Sequence, residues 1–237
     1  PGPDGRPRTA SFLARDITSR VRAEQELRRT DERLRTLIGQ LPAVVIVERP
    51  SPDPRKILIE YLFDIGRSFA RQGFERVVLV NGHGSNRPIC EIAARRITNE
   101  TAAYCATLNC LSLAREVMRQ VCESPVGGTA HACEVETSTY LYLSPELVQR
   151  DKIQDEYAPD YRPWRCDDFR EDSGPVHFME FWSQRSRTGV EGAPSLATAE
   201  KGRVILEAAV TKLIEFGRWW RELEFPPRHS LLVAHAR

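Results

Sequence analysis

The apolar and polar positions between Ile57 and Trp220 fall into two alternating rhythms. Ile57, Leu58, Tyr61, Leu62, Ile65 and Phe69 recur at helical spacing, and Gly73 closes that stretch. Val77, Val78, Leu79 and Val80 then form an unbroken apolar run, three of them β-branched, which predicts a buried strand. Asn81-Gly82-His83-Gly84 ends it, with two glycines that let the backbone turn tightly and leave an imidazole projecting beyond the strand. Asn86 stands where a helix cap is expected, and Ile89, Ile92, Ala93 and Ile97 mark the buried stripe of a helix from about Arg87 to Glu100. A second strand follows over Ala102–Leu108, then a helix over Leu111–Val121 and a glycine-bearing loop over Glu123–Thr129. Strand, helix, strand implies a parallel α/β sheet, whose carboxyl edge is where such folds place ligands.

That edge carries the candidate chemistry. His83 is either a ligand-facing residue or a turn histidine bonded to its neighbours; this stretch does not choose between them. A second polar group lies in Thr129-Ala130-His131-Ala132-Cys133-Glu134-Val135-Glu136-Thr137-Ser138, ahead of an apolar helix with Tyr140, Leu141 and Leu143. Imidazole and carboxylate together suit zinc or manganese, and equally general acid–base work. On a continuous helix His131 and Glu134 share a face while Glu136 points away. A solvated acidic helix start is the plainer alternative.

The amino-terminal fifty residues follow another pattern. After a Pro/Gly/Arg-rich opening, Ala23, Leu27, Thr30, Leu34 and Leu37 repeat in steps of three and four between Arg/Glu-rich faces. That is the seam of a short coiled coil or connector helix, or an amphipathic helix packed on its own domain. Arg15-Asp16-Ile17-Thr18 and Arg22-Ala23-Glu24-Gln25-Glu26-Leu27 resemble the end of a PAS sensor domain and its exit helix, and Leu41-Pro42-Ala43-Val44-Val45 resembles the opening of another PAS repeat. A whole PAS domain takes about 100 residues, so only its tail is present and no sensing pocket is expected. Pro50, Pro52 and Pro54 put a boundary near residue 50, with residues 1–50 as tail and connector and 51–237 as the α/β domain.

Composition narrows the classes. Apolar residues make up 41% and charged residues 28%, ordinary for a globular protein, in a chain of 237 residues that can enclose a sizeable core. Lys and Arg number 34 against 33 Asp and Glu, so charge gives no reason to expect nucleic acid or anionic membrane as partner. No apolar run approaches the ~18 residues of a membrane span, and no signal-like start is seen. Six scattered cysteines without CxxC spacing read as free thiols, and a cytoplasmic location is expected.

The two histidine stretches together resemble the creatininase family of metal-dependent amidohydrolases. Asn81-Gly82-His83-Gly84-Ser85-Asn86 is similar to its glycine–histidine loop. His131-Ala132-Cys133-Glu134-Val135-Glu136-Thr137-Ser138 is similar to its second motif, with Cys133 where the family usually has glycine. Leu143-Ser144-Pro145-Glu146-Leu147-Val148 and Gly189–Gly202 add to the likeness, which runs from about residue 55 to 223. The resemblance implies a three-layer α/β/α fold with a mostly parallel sheet, amino-terminally incomplete, and a two-metal site for Zn2+ and/or Mn2+ that hydrolyses a cyclic or linear amide. Carried over by position, His83 is a ligand of one metal and Glu136 of the other. His131 and Glu134 fall at catalytic positions, His131 passing a proton to the leaving nitrogen and Glu134 in an orienting role. The implied partners are a small amide substrate and further copies of the chain.

The departure from the pattern matters as much. The family's opening strand carries a Glu-x-His pair and a later Asp, and nothing before Asn81 corresponds: residues 41–56 hold Glu48 and Asp53 but no histidine. His177, His229 and His235 lie outside the motifs and are expected to be solvated or locally bonded. With donors missing, weak or absent activity is expected, and so is a sheet lacking its first strand. The alternative is a non-catalytic regulatory or interaction protein built on the connector helix. Residues 151–186, rich in Tyr, Trp, Asp and Arg, are long for a loop and are expected to cover the site mouth or a subunit contact. Trp164, Phe178, Phe181 and Trp182 there are either a substrate wall or packing beneath the loop. Pro226–Arg237 is expected to fray.

Overall fold

The computed structural model describes the backbone of residues 44–47 and 55–228, with side chains from residue 58 onward. The PAS-like tail, the connector seam, Glu48, Asp53, His229, His235 and the end of the chain lie outside the described residues. Among the described residues no helix is long and apolar enough to cross a membrane.

Strand β2 (Arg76–Asn81) is the centre of a parallel sheet of order β1-β2-β3, with β1 at Val44–Val47 and β3 at Tyr104–Asn109. The expectation of a bare edge beside β2 is corrected here. Val44 pairs with Val78 and Val47 with Asn81, so the Val-rich stretch that resembles a PAS opening is backbone-paired into the α/β sheet. On the other side Arg76 to Asn81 pair residue for residue with Tyr104 to Asn109.

Alternation along β2 sends its side chains into two separate cores. Val77 and Leu79 pack against Leu62 of helix α1 (Arg55–Arg71) and Ile89, Cys90, Ala93 and Ala94 of α2 (Arg87–Glu100). Val78 and Val80 face the opposite way, onto Trp220, Leu213 and Phe216 of the long helix α6 (Ala199–Glu222). Helices on both faces of the sheet make the three-layer α/β/α arrangement. At full burial each of these strand side chains contributes about 1.5–3 kcal/mol relative to exposure.

Helix α6 also builds a third core. Ile205 and Ala209 pack with Met118 of α3 (Arg115–Val121) and Val135 of α4 (Glu134–Leu143). The α4–α6 contact is close: a Cβ on Gly202 would stand 1.9 Å from the Ser138 carbonyl oxygen. Thr198 caps α6 by accepting from the Lys201 N–H at 3.1 Å. Asn86 stands at the N-cap position of α2, but its side chain makes no cap hydrogen bond. It is buried in a 3-10 turn, Gly84–Asn86, and the helix begins instead with Pro88 in its first turn, where the missing N–H costs nothing.

A second, two-stranded sheet pairs β4 (Thr129–His131) antiparallel with β5 (Glu191–Gly192). Between α4 and β5 the chain is a long strap with one short helix, α5 (Trp182–Arg185). Polar contacts shape it in place of an apolar stripe. Glu156 accepts from the backbone N–H of Arg187 and Thr188 and from the Ser186 and Thr188 hydroxyls, which holds its carboxyl down at about 2.

Candidate functional site

His83 follows the carboxyl end of β2, and Asn81 shapes its turn. The Asn81 amide donates to the His83 carbonyl at 2.8 Å and accepts from the His83 N–H at 3.2 Å. The same amide donates to the side chain of Asn109, its register partner on β3. An Asn at a strand end that folds the next two residues back on itself is an Asx turn, which sequence alone reads only as a polar stop.

His131 ends β4, and its ring lies 6.0 Å from that of His83, edge to face at 88°. The picture of His131 and Glu134 on one helical face is therefore corrected. Ala132 takes a left-handed conformation at φ 47°, and only at Glu134 does α4 begin. The turn is held by Glu136, whose carboxylate accepts from the Ala132 N–H. The rings of His83 and His131 thus come together where two chain turns meet, and Glu136 bonds the backbone next to His131.

Glu134 points elsewhere. It is fully buried, accepts from the backbone N–H of Glu123 and Ser124 at 3.0 Å each, and takes the Lys201 ammonium at 2.6 Å. Burial alone would raise its carboxyl; Lys201 and the two N–H groups outweigh that and hold it below the usual range. Lys201 also donates to the Leu196 carbonyl at 2.8 Å. Glu134 thus ties loop 122–128, which leads into β4, to the start of α6.

Sequence reasoning missed a second tie on the same loop. Asp168 accepts from the Gly127 N–H at 2.8 Å and the Thr129 hydroxyl at 2.6 Å. Arg170 grips Asp168 through Nε and Nη2 at 2.9 Å each and donates to the Ser124 and Pro125 carbonyls at 2.8 Å. These contacts join residues far apart in a strap without periodicity, so no local signal announces them. The Asp-Asp pair at 167–168 ahead of arginine is the only trace.

The strap does reach the site. Trp182 meets the His131 ring edge-on with centroids 4.8 Å apart. Trp164, Phe181 and Met179 are exposed, so packing beneath the loop is not their role, while Phe178 sits edge-on to Tyr161 at 5.0 Å. His177 is exposed, as expected. The cysteines that the structure describes are free, and burial pushes the Cys105 and Cys122 thiols up to about 12 and Cys133 further. They are neutral near pH 7.

His83 and Glu136 fit zinc or manganese in the kind of donor they offer. They do not fit in number: among the described residues no group of three or more His, Cys, Asp or Glu side chains converges, and a zinc site takes about three.

A parallel sheet with helices on both faces and a histidine pair at its carboxyl edge makes this a three-layer α/β/α protein. The sequence model of the creatininase family, described as creatinine amidohydrolase, matches residues 54–216, and the chain belongs to that family. It is 32% identical over 173 residues to the mycofactocin precursor peptide peptidase of Mycobacterium ulcerans (strain Agy99), across 70% of this chain and 55% of that protein. The protein of the same name from Mycobacterium tuberculosis (strain ATCC 25618 / H37Rv) is 30% identical over 172 residues, across 69% and 54%. The chain therefore spans about half the length of these relatives. Among solved structures, a mutant creatininase of Zn-Zn type superposes with TM-score 0.57 at 23% identity, over 71% of this chain and 65% of the other. A putative creatinine amidohydrolase from Bacteroides fragilis NCTC 9343 gives 0.58 at 21%, over 78% and 72%. These likenesses carry the fold.

Proposed function

We propose that this chain forms part of a metal-dependent amide-bond hydrolase, with a peptide or peptide-derived amide as substrate. The observation that carries the reading is the 6.0 Å approach of the His83 and His131 rings at the carboxyl edge of the sheet, with Glu136 tied one residue from His131. The peptidase name of the mycobacterial relatives supports a linear amide over a small cyclic one. His83 and Glu136 would be donors to zinc or manganese, whose chemistry when bound would be to polarise the carbonyl and acidify a water.

His131 holds and delivers a proton. Its imidazole is poised to pass it to the leaving nitrogen, because an imidazole changes charge near neutral pH and amide cleavage fails without protonation of the amine. Glu134 acts through the fold: it fixes the loop that enters β4 and so fixes where His131 stands. Trp182 forms one wall of the site. His83 and Glu136 by themselves would hold a metal weakly, since a zinc site takes about three protein donors.

Activity tests the reading directly. The protein supplied with Zn2+ or Mn2+ is expected to release amine from short peptide amides, and His131→Gln to lower the rate by about 10²–10⁴-fold, the range for loss of a general acid. A rate in the His131→Gln protein equal to wild type overturns the role of His131. Absence of hydrolysis under all metal conditions favours a non-catalytic interaction protein instead.

A further inference from the structure

Glu191 lies opposite His131 across the β4–β5 pair, so the two side chains leave the same face of that small sheet. It is 3% exposed, and Arg185 of α5 places its guanidinium on the Glu191 carboxylate. Arg185 also reaches Asp167 at 2.7 Å and lies with its guanidinium carbon 5.4 Å from the Trp182 ring centroid. Trp182 in turn stands against His131. The contacts close a circuit: strand pairing from His131 to Glu191, an ion pair to Arg185, a cation–π contact to Trp182, and a ring contact back to His131.

A helix of four residues has no stability of its own, since nucleation costs more than one turn of hydrogen bonds returns. What fixes α5 is therefore its outside contacts. Of the two anions on Arg185, Asp167 is partly exposed and also shared with Arg165 at 2.8 Å, whereas Glu191 is buried on the strand beside His131. Exposed pairs contribute little and a broken buried pair costs much, so Glu191 is the anion that controls Arg185.

We infer that Glu191 is a positioning residue for His131, acting through Arg185 to seat Trp182 against the imidazole. The significance for catalysis rests on the acid–base role proposed for His131; the geometry does not. Burial pushes the Glu191 carboxyl up to about 7, with Asp167 and Glu180 adding to the rise and Arg165 opposing it.

The test uses the full chain with isotope-labelled histidine, which carries five such residues, with the His131 signal assigned by its loss in His131→Gln. Trp182→Leu sets the position of the His131 ring resonance without the indole ring current. Glu191→Gln and Arg185→Gln are each expected to move the resonance from the wild-type position towards that of Trp182→Leu. Arg162→Gln, which breaks an exposed pair with Asp160 elsewhere on the strap, is expected to leave it in place. A wild-type resonance in either network variant that still unfolds cooperatively overturns the proposal, and so does an equal movement in Arg162→Gln. The readout needs no turnover, so a protein without hydrolytic activity would count against the proposed function and leave this result standing.

Discussion

Glu134 illustrates how a residue within a family-like motif can serve the fold. Its carboxylate is buried, and both its oxygens are taken up by Lys201 and two loop N–H groups. Lys201 is itself only 9% exposed, and its second carboxylate, Glu123 at 2.9 Å, is mostly in water. Glu134→Gln therefore leaves an ammonium without its buried counter-charge and is expected to destabilise by about 3–5 kcal/mol, read as a lower denaturant midpoint. A double variant, Glu134→Leu with Lys201→Met, is expected to recover much of that loss, because removing both charges removes the desolvation cost. An unchanged midpoint in Glu134→Gln would show that the pair does not hold the loop. Sequence places Glu134 in the right motif. It does not show which way the side chain turns, because its partner Lys201 is 67 positions away.

At the scale of elements, what was legible follows local periodicity. The helix predicted from Ile57 to Arg71 runs Arg55–Arg71, the one at Arg87–Glu100 has those bounds, and the apolar run Val77–Val80 sits inside β2. The apolar stripe and the β-branched run are signals each element carries within itself. The short β4, the left-handed Ala132 and α5 carry none, since long-range contacts make them. The last helix, Ala199–Glu222, starts at a Thr198 cap that lies inside the family-like stretch Gly189–Gly202. Gly202 in that helix makes a sharp prediction. An exposed helical Gly→Ala usually stabilises by about 0.5–1 kcal/mol. Here the added methyl would meet the Ser138 carbonyl at 1.9 Å, so the sign reverses and Gly202→Ala is expected to lower stability by about 1–3 kcal/mol in a thermal melt. Stabilisation instead would mean that α4 and α6 are further apart than described.

For the whole molecule, one strand organises the rest. β2 separates two cores by alternation, accepts a neighbour on each edge, and delivers His83 at its carboxyl end. The candidate site gathers there because a second sheet, β4–β5, brings His131 to the same place. His83, His131 and Glu136 were legible as motif residues, and the structure brings the rings of His83 and His131 to 6.0 Å. The strap network of Glu191, Arg185 and Trp182, and the Asp168–Arg170 tie, were not, because polar contacts across a non-periodic strap leave no pattern in the chain. The first strand was misjudged for a physical reason too. Val44–Val47 has the β-branched composition of any strand, and only its pairing partner decides which sheet it joins.

The central claim is that His83 and Glu136 belong to a metal centre. Its most direct test is metal content after incubation with excess Zn2+ or Mn2+ and removal of the unbound ion, for the wild-type chain and for His83→Ala and Glu136→Ala. Metal is expected to be retained by the wild type at a level that falls on weak chelation, and to be lost in both variants. Equal metal in wild type and variants, or none in the wild type at any excess, would contradict it and leave a creatininase-family fold without its metal chemistry.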